Sequence, residues 1–318
     1  MKKIINVLLI ISMLFFAACG KSDLPELDVG IDTPPPTTET SSVTTEPETA
    51  ESDSNSSEPE ETPDVVPDAP ESERLTFTAE DGLTITADLY LANDDNAPYI
   101  ILFHGQNSNR GEFYHIAPRL AELGFNCLAV DLRAGARTYP VNPRTGSVFR
   151  VDNLTQAAGT YNANMHYEAV WPDVKAALLY TKDVLEAESI IVWGVAYSAT
   201  LSIVLGSEFS NYISGIMLFS LYSVSPYNEW FNFLEFNDRK IEDYAADIKC
   251  PVFIVTDEDT RVESMEILDR ISSDDKVYFD VVTYRDWKGP QDRPRWEIVL
   301  DDADNPLWDD VIQFLNSL

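Results

Sequence analysis

The sequence predicts a single α/β domain: a mostly parallel, eight-stranded sheet with helices on both faces. Three observations point there. Short, continuous apolar runs such as Tyr99-Ile100-Ile101-Leu102-Phe103 and Cys127-Leu128-Ala129-Val130 lack the alternation of a half-exposed strand, as expected for parallel strands covered on both sides. Between them lie longer stretches with helical periodicity. The regular succession of the two kinds of segment calls for crossover connections rather than hairpins.

In chain order, Leu75–Thr78 and Leu83–Leu91 alternate in the β manner around Glu80-Asp81-Gly82 and form an antiparallel opening hairpin. Strand 99–103 follows, then a helix over Phe113–Leu123 stopped by Gly124, then strand 127–130. A helix over Tyr167–Val184, a strand at Ile190–Trp193, a helix from Thr200 and a strand at Ile216–Phe219 come next. The series closes with a strand at Val252–Val255, a helix at Glu263–Ile271, a strand at Val277–Val282 and an amphipathic helix over Trp308–Leu318.

The chain has 318 residues, with 22 Lys+Arg against 54 Asp+Glu and a formal charge of −32. A polyanion of this size is repelled by phosphate backbones, so nucleic acid is excluded as a partner. The 44% apolar content excludes a wholly disordered chain. Its charge is concentrated unevenly. Residues 20–74 are built from Pro, Thr, Ser, Glu and Asp, with Pro34-Pro35-Pro36 and Ser56-Ser57-Glu58-Pro59-Glu60-Glu61, and hold almost no large apolar side chains. Such a composition cannot offset its ordering entropy, so a disordered acidic tether with a reach on the order of 40 Å is expected. Residues 1–19 have Lys2 and Lys3 ahead of an apolar stretch, Ile4–Ala18, too short to span a bilayer comfortably. Phe16-Ala17-Ala18-Cys19 resembles a bacterial lipobox, which implies cleavage before Cys19, acylation of its thiol and an extracytoplasmic, membrane-anchored protein; an ordinary secretory signal with a chance cysteine is the alternative. The folded domain then occupies 75–318, acting as a monomer.

Within that domain stand Phe103-His104-Gly105-Gln106 after the third strand, Val130-Asp131-Leu132-Arg133 at the end of the next, and Val192-Trp193-Gly194-Val195-Ala196-Tyr197-Ser198-Ala199 at a strand-to-helix turn. These resemble, in that order, the oxyanion loop, the Asp-x-Arg strand ending and the strand-turn-helix nucleophile elbow of the α/β-hydrolase superfamily. An elbow needs small residues two before and two after the nucleophile. Gly194 and Ser198 supply these, which puts Ala196 at the nucleophile position, with no atom to attack a carbonyl. A shifted frame with Ser198 as nucleophile would place β-branched Thr200 in the tight turn.

The resemblance implies an acid after strand 252–255 and a histidine after the last strand. Asp259 best fits the acid, with Asp257 second, but with no imidazole to orient, the expected job of the carboxylate is solvated loop charge or a salt bridge to Lys288 or Arg261. All three histidines, His104, His115 and His166, precede the elbow, and Lys288-Gly289 stands where a His-Gly pair is expected. Lysine stays protonated unless strongly desolvated, so it is a poor substitute for an imidazole base. The oxyanion-hole donors implied by the resemblance are the backbone N–H groups of Gln106 and Tyr197, which do not depend on side-chain identity. His104, Trp230 and Phe231 are the expected pocket residues, His104 as a support under the oxyanion loop; Tyr227 and Phe233 belong to the same aromatic stretch, which lines a pocket or caps the core. His115 and His166 lack metal-ligand spacing, and Asp301-Asp302-Ala303-Asp304-Asn305 lacks the glycine and glutamate of an EF-hand loop, so neither a metal nor a cofactor is expected. Cys127 and Cys250 fall on well-separated strands and are expected as two buried free thiols. The sequence supports two functions: a pseudohydrolase that binds a ligand or partner, or a serine hydrolase working through Ser198.

Overall fold

The computed structural model describes residues 71–92, 94, 96–105, 108–141, 148–155, 167–221, 235–256, 260–280 and 306–318. Strands β1 (Glu73–Thr78), β2 (Thr84–Tyr90), β3 (Tyr99–Phe103) and β4 (Asn126–Val130) are followed by a short hairpin, β5 (Thr138–Val141) and β6 (Phe149–Asp152). After these come β7 (Ile190–Val195), β8 (Ile213–Phe219), a second small hairpin, β9 (Glu235–Phe236) and β10 (Arg239–Lys240), then β11 (Val252–Thr256) and β12 (Lys276–Asp280). The helices are α1 (Ile116–Glu122), α2 (Tyr167–Asp183), α3 (Tyr197–Glu208), α4 (Ile241–Ala245), α5 (Arg261–Arg270) and α6 (Leu307–Leu315), with a 3-10 turn at Arg110–Phe113.

Eight strands form one sheet in the order β1-β2-β4-β3-β7-β8-β11-β12. The pairs β1/β2 and β2/β4 are antiparallel and all the others parallel, so the antiparallel edge lies where the opening hairpin was expected. The reason the central strands read as unbroken apolar runs is visible in their alternation. Ile101, Phe103, Val192, Leu218 and Ile254 enter a core under α2, α3, α4 and α5, while Ile100, Leu102, Trp193, Phe219 and Phe253 enter a second core under α1 and α6. Trp193 and Phe219 stack at 4.2 Å between ring centroids in the second core, an arrangement worth about 1 kcal/mol beyond the area it buries.

Several boundaries differ from the sequence reading. β1 begins at Glu73, within the stretch assigned to the tether, because its register runs from Glu73 opposite Leu89 to Thr78 opposite Thr84. The helix expected over Phe113–Leu123 divides into a 3-10 turn, capped by the Asn109 side chain accepting from Gly111 N–H, and α1; Gly124, at φ +98°, ends it as anticipated. Helix α3 starts at Tyr197, three residues before Thr200. The β5–β6 and β9–β10 hairpins and α4 had not been anticipated.

Strand order reverses between β3 and β7, which neighbour each other although β4 follows β3 in sequence. The crevice beyond the carboxyl ends of two such strands is where open α/β sheets hold their ligands. In this chain those ends lead into Gly105 and Ala196.

Candidate functional site

Ala196 is the one residue between β7 and α3, and its backbone stands at φ 53°, ψ −117°. A side chain at positive φ costs about 1–3 kcal/mol, so the surroundings must impose it. They do so from three sides. Ala196 N–H donates to the Phe219 carbonyl at 2.8 Å, and its own carbonyl accepts from Ala199 N–H at 3.1 Å, starting the helix. Two residues earlier, a Cβ on Gly194 would come within 2.3 Å of Ser202 Oγ, 2.6 Å of the Ser198 carbonyl and 2.7 Å of Ala199 Cα, so only glycine lets strand and helix approach this closely. Two residues later, Ser198 Oγ accepts from Val195 N–H at 2.8 Å and lies 2.7 Å from the Phe103 carbonyl and 2.9 Å from the Val195 carbonyl. That hydroxyl rivets the ends of β3 and β7 beneath the bend. The group at the apex of this elbow is a methyl.

Ser198 is fully buried, and among the described residues its hydroxyl bonds to backbone atoms of the two strands. The hydroxyl that the shifted frame would use is thus buried and bound to the strands. His104 is likewise fully buried rather than lining an open pocket. Its Nδ1 lies 2.9 Å from the Gly105 carbonyl and its Nε2 accepts from Leu132 N–H at 3.0 Å, which fixes a neutral ring carrying its proton on Nδ1. Burial holds the imidazole down at about 4, while the Gly105 carbonyl pulls weakly the other way. His104 thus fastens the start of the loop after β3 to the turn after β4. His115 is the half-buried residue preceding α1, edge-on to the Tyr114 ring at 5.0 Å.

The loop after β3 is braced by side chains that local patterning did not reveal. Glu112, buried on the 3-10 turn, accepts the Gly105 N–H at 2.9 Å. The point where a Gly105 Cβ would stand lies 3.8 Å from both Glu112 Oε2 and the Ala196 methyl, so loop and elbow meet there. Arg110 is anchored by Asp88 (Nε to Oδ2, 2.7 Å), by Asp131 (Nη1 to Oδ2, 2.6 Å) and by the Asp152 carbonyl (2.6 Å). Burial opposes the arginine's charge, but Asp131 and Asp88 hold its proton on more firmly than in water. Arg133 gives three hydrogen bonds to Asp173, from its backbone N–H, Nε and Nη2, and also pairs with Asp81. The Asp-x-Arg ending of β4 therefore sends its two charges into separate buried networks.

The structure places Tyr197, nine-tenths buried, at the first residue of α3, where its N–H faces out of the helix start. Gln106, Asp257, Asp259, Lys288, Tyr227, Trp230, Phe231, Phe233, His166 and Cys19 lie outside the described residues. At the neighbouring ends of β11 and β12, Arg261 pairs with Asp280 at the end of β12, Nη2 to Oδ2 at 2.5 Å. Cys127 and Cys250 are free thiols separated by three strands of the sheet. Cys127 is buried as expected, whereas Cys250 is only half-buried, since it precedes β11 at the rim of the core. Among the described residues no three His, Cys, Asp or Glu side chains group as metal ligands. No described helix is long and apolar enough to cross a membrane.

Neither a family model nor a curated protein sequence matches this chain. Solved structures do. An esterase of Pyrococcus furiosus superimposes with a TM-score of 0.54 at 19% identity, over 78% of this chain and 92% of the esterase. The α/β-hydrolase GrgF of Penicillium sp. sh18 gives a TM-score of 0.54 at 14% identity, over 78% of this chain and 98% of its own. At such identities the likeness establishes the architecture: the chain has the α/β-hydrolase fold.

Proposed function

We propose that this chain is an extracytoplasmic α/β-hydrolase-fold protein, lipid-anchored to a bacterial membrane through Cys19, that binds a small molecule, peptide or partner without turning it over. The observation that carries the reading is Ala196 at φ 53°, ψ −117° in the bend between β7 and α3. An acyl-enzyme requires a nucleophilic atom at that place and an imidazole to take its proton. A methyl occupies the first, and His104, its ring 6.4 Å from that of Tyr197 beside the apex, is locked neutral by two hydrogen bonds. Backbone donors and a braced Gly105 loop outlast the loss of a nucleophile, so a notch for a carbonyl or anion is what such a site retains. Both neighbours described above bear hydrolytic names, and hydrolysis through Ser198 is the competing reading; it demands that a fully buried, strand-bound hydroxyl be freed.

A serine-directed fluorophosphonate probe separates the two. The purified protein is expected to stay unlabelled, and labelling that disappears in Ser198→Ala overturns the proposal. Binding is tested by thermal shift against acyl amides and cell-wall peptides, because a ligand of the native state raises its melting temperature by mass action. A library that shifts nothing overturns the binding role.

A further inference from the structure

β12 ends the eight-stranded sheet: among the described residues β11 is its one neighbour. An edge strand presents a row of N–H and C=O groups to any chain able to pair with them, and proteins guard such edges with a proline, a bulge, a charge or a cover. The five residues of β12, Lys276-Val277-Tyr278-Phe279-Asp280, contain no proline, and their register with β11 runs unbroken from Val252 opposite Lys276 to Thr256 opposite Asp280. The charges at its two ends turn onto the domain rather than across the edge. Lys276 Nζ donates to the Leu268 and Ile271 carbonyls near the end of α5, at 3.2 and 3.1 Å, and Asp280 accepts from Arg261 at the start of α5 at 2.5 Å. The three residues between them are half-buried, Val277 and Phe279 against the core under α6 and Tyr278 against the core on the other face.

Which backbone groups face outward follows from one hydrogen bond. Val252 N–H donates to the Asp275 carbonyl at 2.9 Å, so Asp275, Val277 and Phe279 turn their main-chain groups toward β11. By the alternation of a strand, Lys276, Tyr278 and Asp280 turn theirs to the outer edge. These residues, evenly spaced about Tyr278, match a reversed copy of themselves. Antiparallel pairing about a twofold axis at Tyr278 sets Tyr278 against Tyr278 of the copy and Lys276 against its Asp280, each pair exchanging its backbone bonds. The same register lays Val277 against Phe279 on the α6 side and opposite charges against each other at both ends of the other face. An ammonium has three donors and a carboxylate several acceptor sites, so the bonds to α5 do not forbid this second contact. Charge also selects the surface. Two chains of formal charge −32 repel each other over most of their extent, whereas β12 carries one lysine and one aspartate, and reversal lays each on its opposite. We propose that β12 pairs antiparallel with β12 of a second copy about Tyr278, joining the two sheets into one continuous sheet, in place of the monomer expected from the sequence. The assignment depends on neither the reading of Ala196 nor the anchor at Cys19. A strand of a different protein would use the same edge but gains nothing from the match of Lys276 with Asp280.

The test is disulfide capture in the purified full chain under mild oxidation, read on non-reducing gels, with the parent chain and its native cysteines setting the background. Tyr278→Cys is expected to run at twice the chain mass with about tenfold the parent's yield, because paired edges hold the two Cα atoms about 5.5 Å apart, within disulfide reach. Lys276→Cys/Asp280→Cys is expected to do the same, and it serves where loss of the Tyr278 ring lowers the melting temperature. Lys276→Cys alone is expected to stay at background, since its copies lie more than about 13 Å apart in this register. Adding Tyr278→Pro to the double variant removes an outward N–H and none of the bonds to β11, and is expected to abolish the cross-link. Capture of Lys276→Cys alone as efficiently as the double variant overturns the register. Background yields from both Tyr278→Cys and the double variant overturn the pairing and leave the edge to a strand of a different protein. A cross-link that survives Tyr278→Pro overturns it as well.

Discussion

Replacing His104 by glutamine tests whether a buried neutral imidazole fastens the loop beneath the site. Glutamine keeps one donor for the Gly105 carbonyl and one acceptor for Leu132 N–H but does not titrate. In the unfolded chain the imidazole takes up a proton near 6.5, in the folded protein only near 4. Between those values the unfolded state binds more protons, so His104 contributes a slope in which stability rises with pH and is lost on acidification. From about pH 7.5 to about pH 5 the loss attributable to this one site is about 2 kcal/mol. Urea titrations followed by the fluorescence of buried Trp171, Trp193 and Trp308 give the stability of both proteins at each pH. Asp173, pushed up to about 6 by burial despite its bonds from Arg133, gives a slope of opposite sign, but it is present in both proteins and cancels in the difference. The wild-type advantage over His104→Gln at about pH 7.5 should therefore shrink by about 2 kcal/mol at about pH 5. A gap constant to within about 0.5 kcal/mol would refute the neutral, two-bonded ring.

Ala196→Gly should leave stability unchanged or raise it by up to about 1 kcal/mol, where the same change in a relaxed helix or strand costs about 0.5–1 kcal/mol; a larger loss in thermal unfolding would mean the apex is not strained. On the proposed reading, Ala196→Ser should fold normally and give no turnover of p-nitrophenyl acetate above the parent, because no histidine follows the elbow in sequence to serve as base; appreciable turnover would reveal an unrecognised histidine partner. Arg110→Met should cost about 3–5 kcal/mol in urea unfolding, since Asp131 would keep buried charge without its counter-ion and Asp88 would retain only the exposed Arg74. Cys19→Ser should move the protein from the membrane pellet to the soluble fraction after cell lysis; retention in the pellet would dismiss the lipid anchor.

What patterning along the chain reveals depends on how local its physical cause is. The eight strands of the main sheet are legible because each central one is buried on both faces, and a run such as Ile100-Ile101-Leu102-Phe103 carries that fact in consecutive residues. The elbow frame is legible for the same reason: Gly194 and Ser198 are constrained by atoms within a few positions of themselves, Ser202 Oγ and the Val195 N–H. The β5–β6 hairpin escapes notice because its strands are four residues each and Pro140 interrupts the pattern. The bracing of the loop after β3 escapes it more completely. Arg110 finds Asp88 and Asp131 across separations of 22 and 21 residues, and Arg133 finds Asp173 across 40, so the pairings exist only once the sheet order brings β2, β4 and α2 together. These buried charges are costly to desolvate and tolerable only when every one is paired. Paired as they are, they hold the loop and the elbow in mutual register by forces that do not involve the apex side chain. That independence is why the bend keeps a strained backbone around a methyl group: the geometry a nucleophile would need is maintained by Gly194, Ser198, His104 and Arg110, none of which has to touch a substrate.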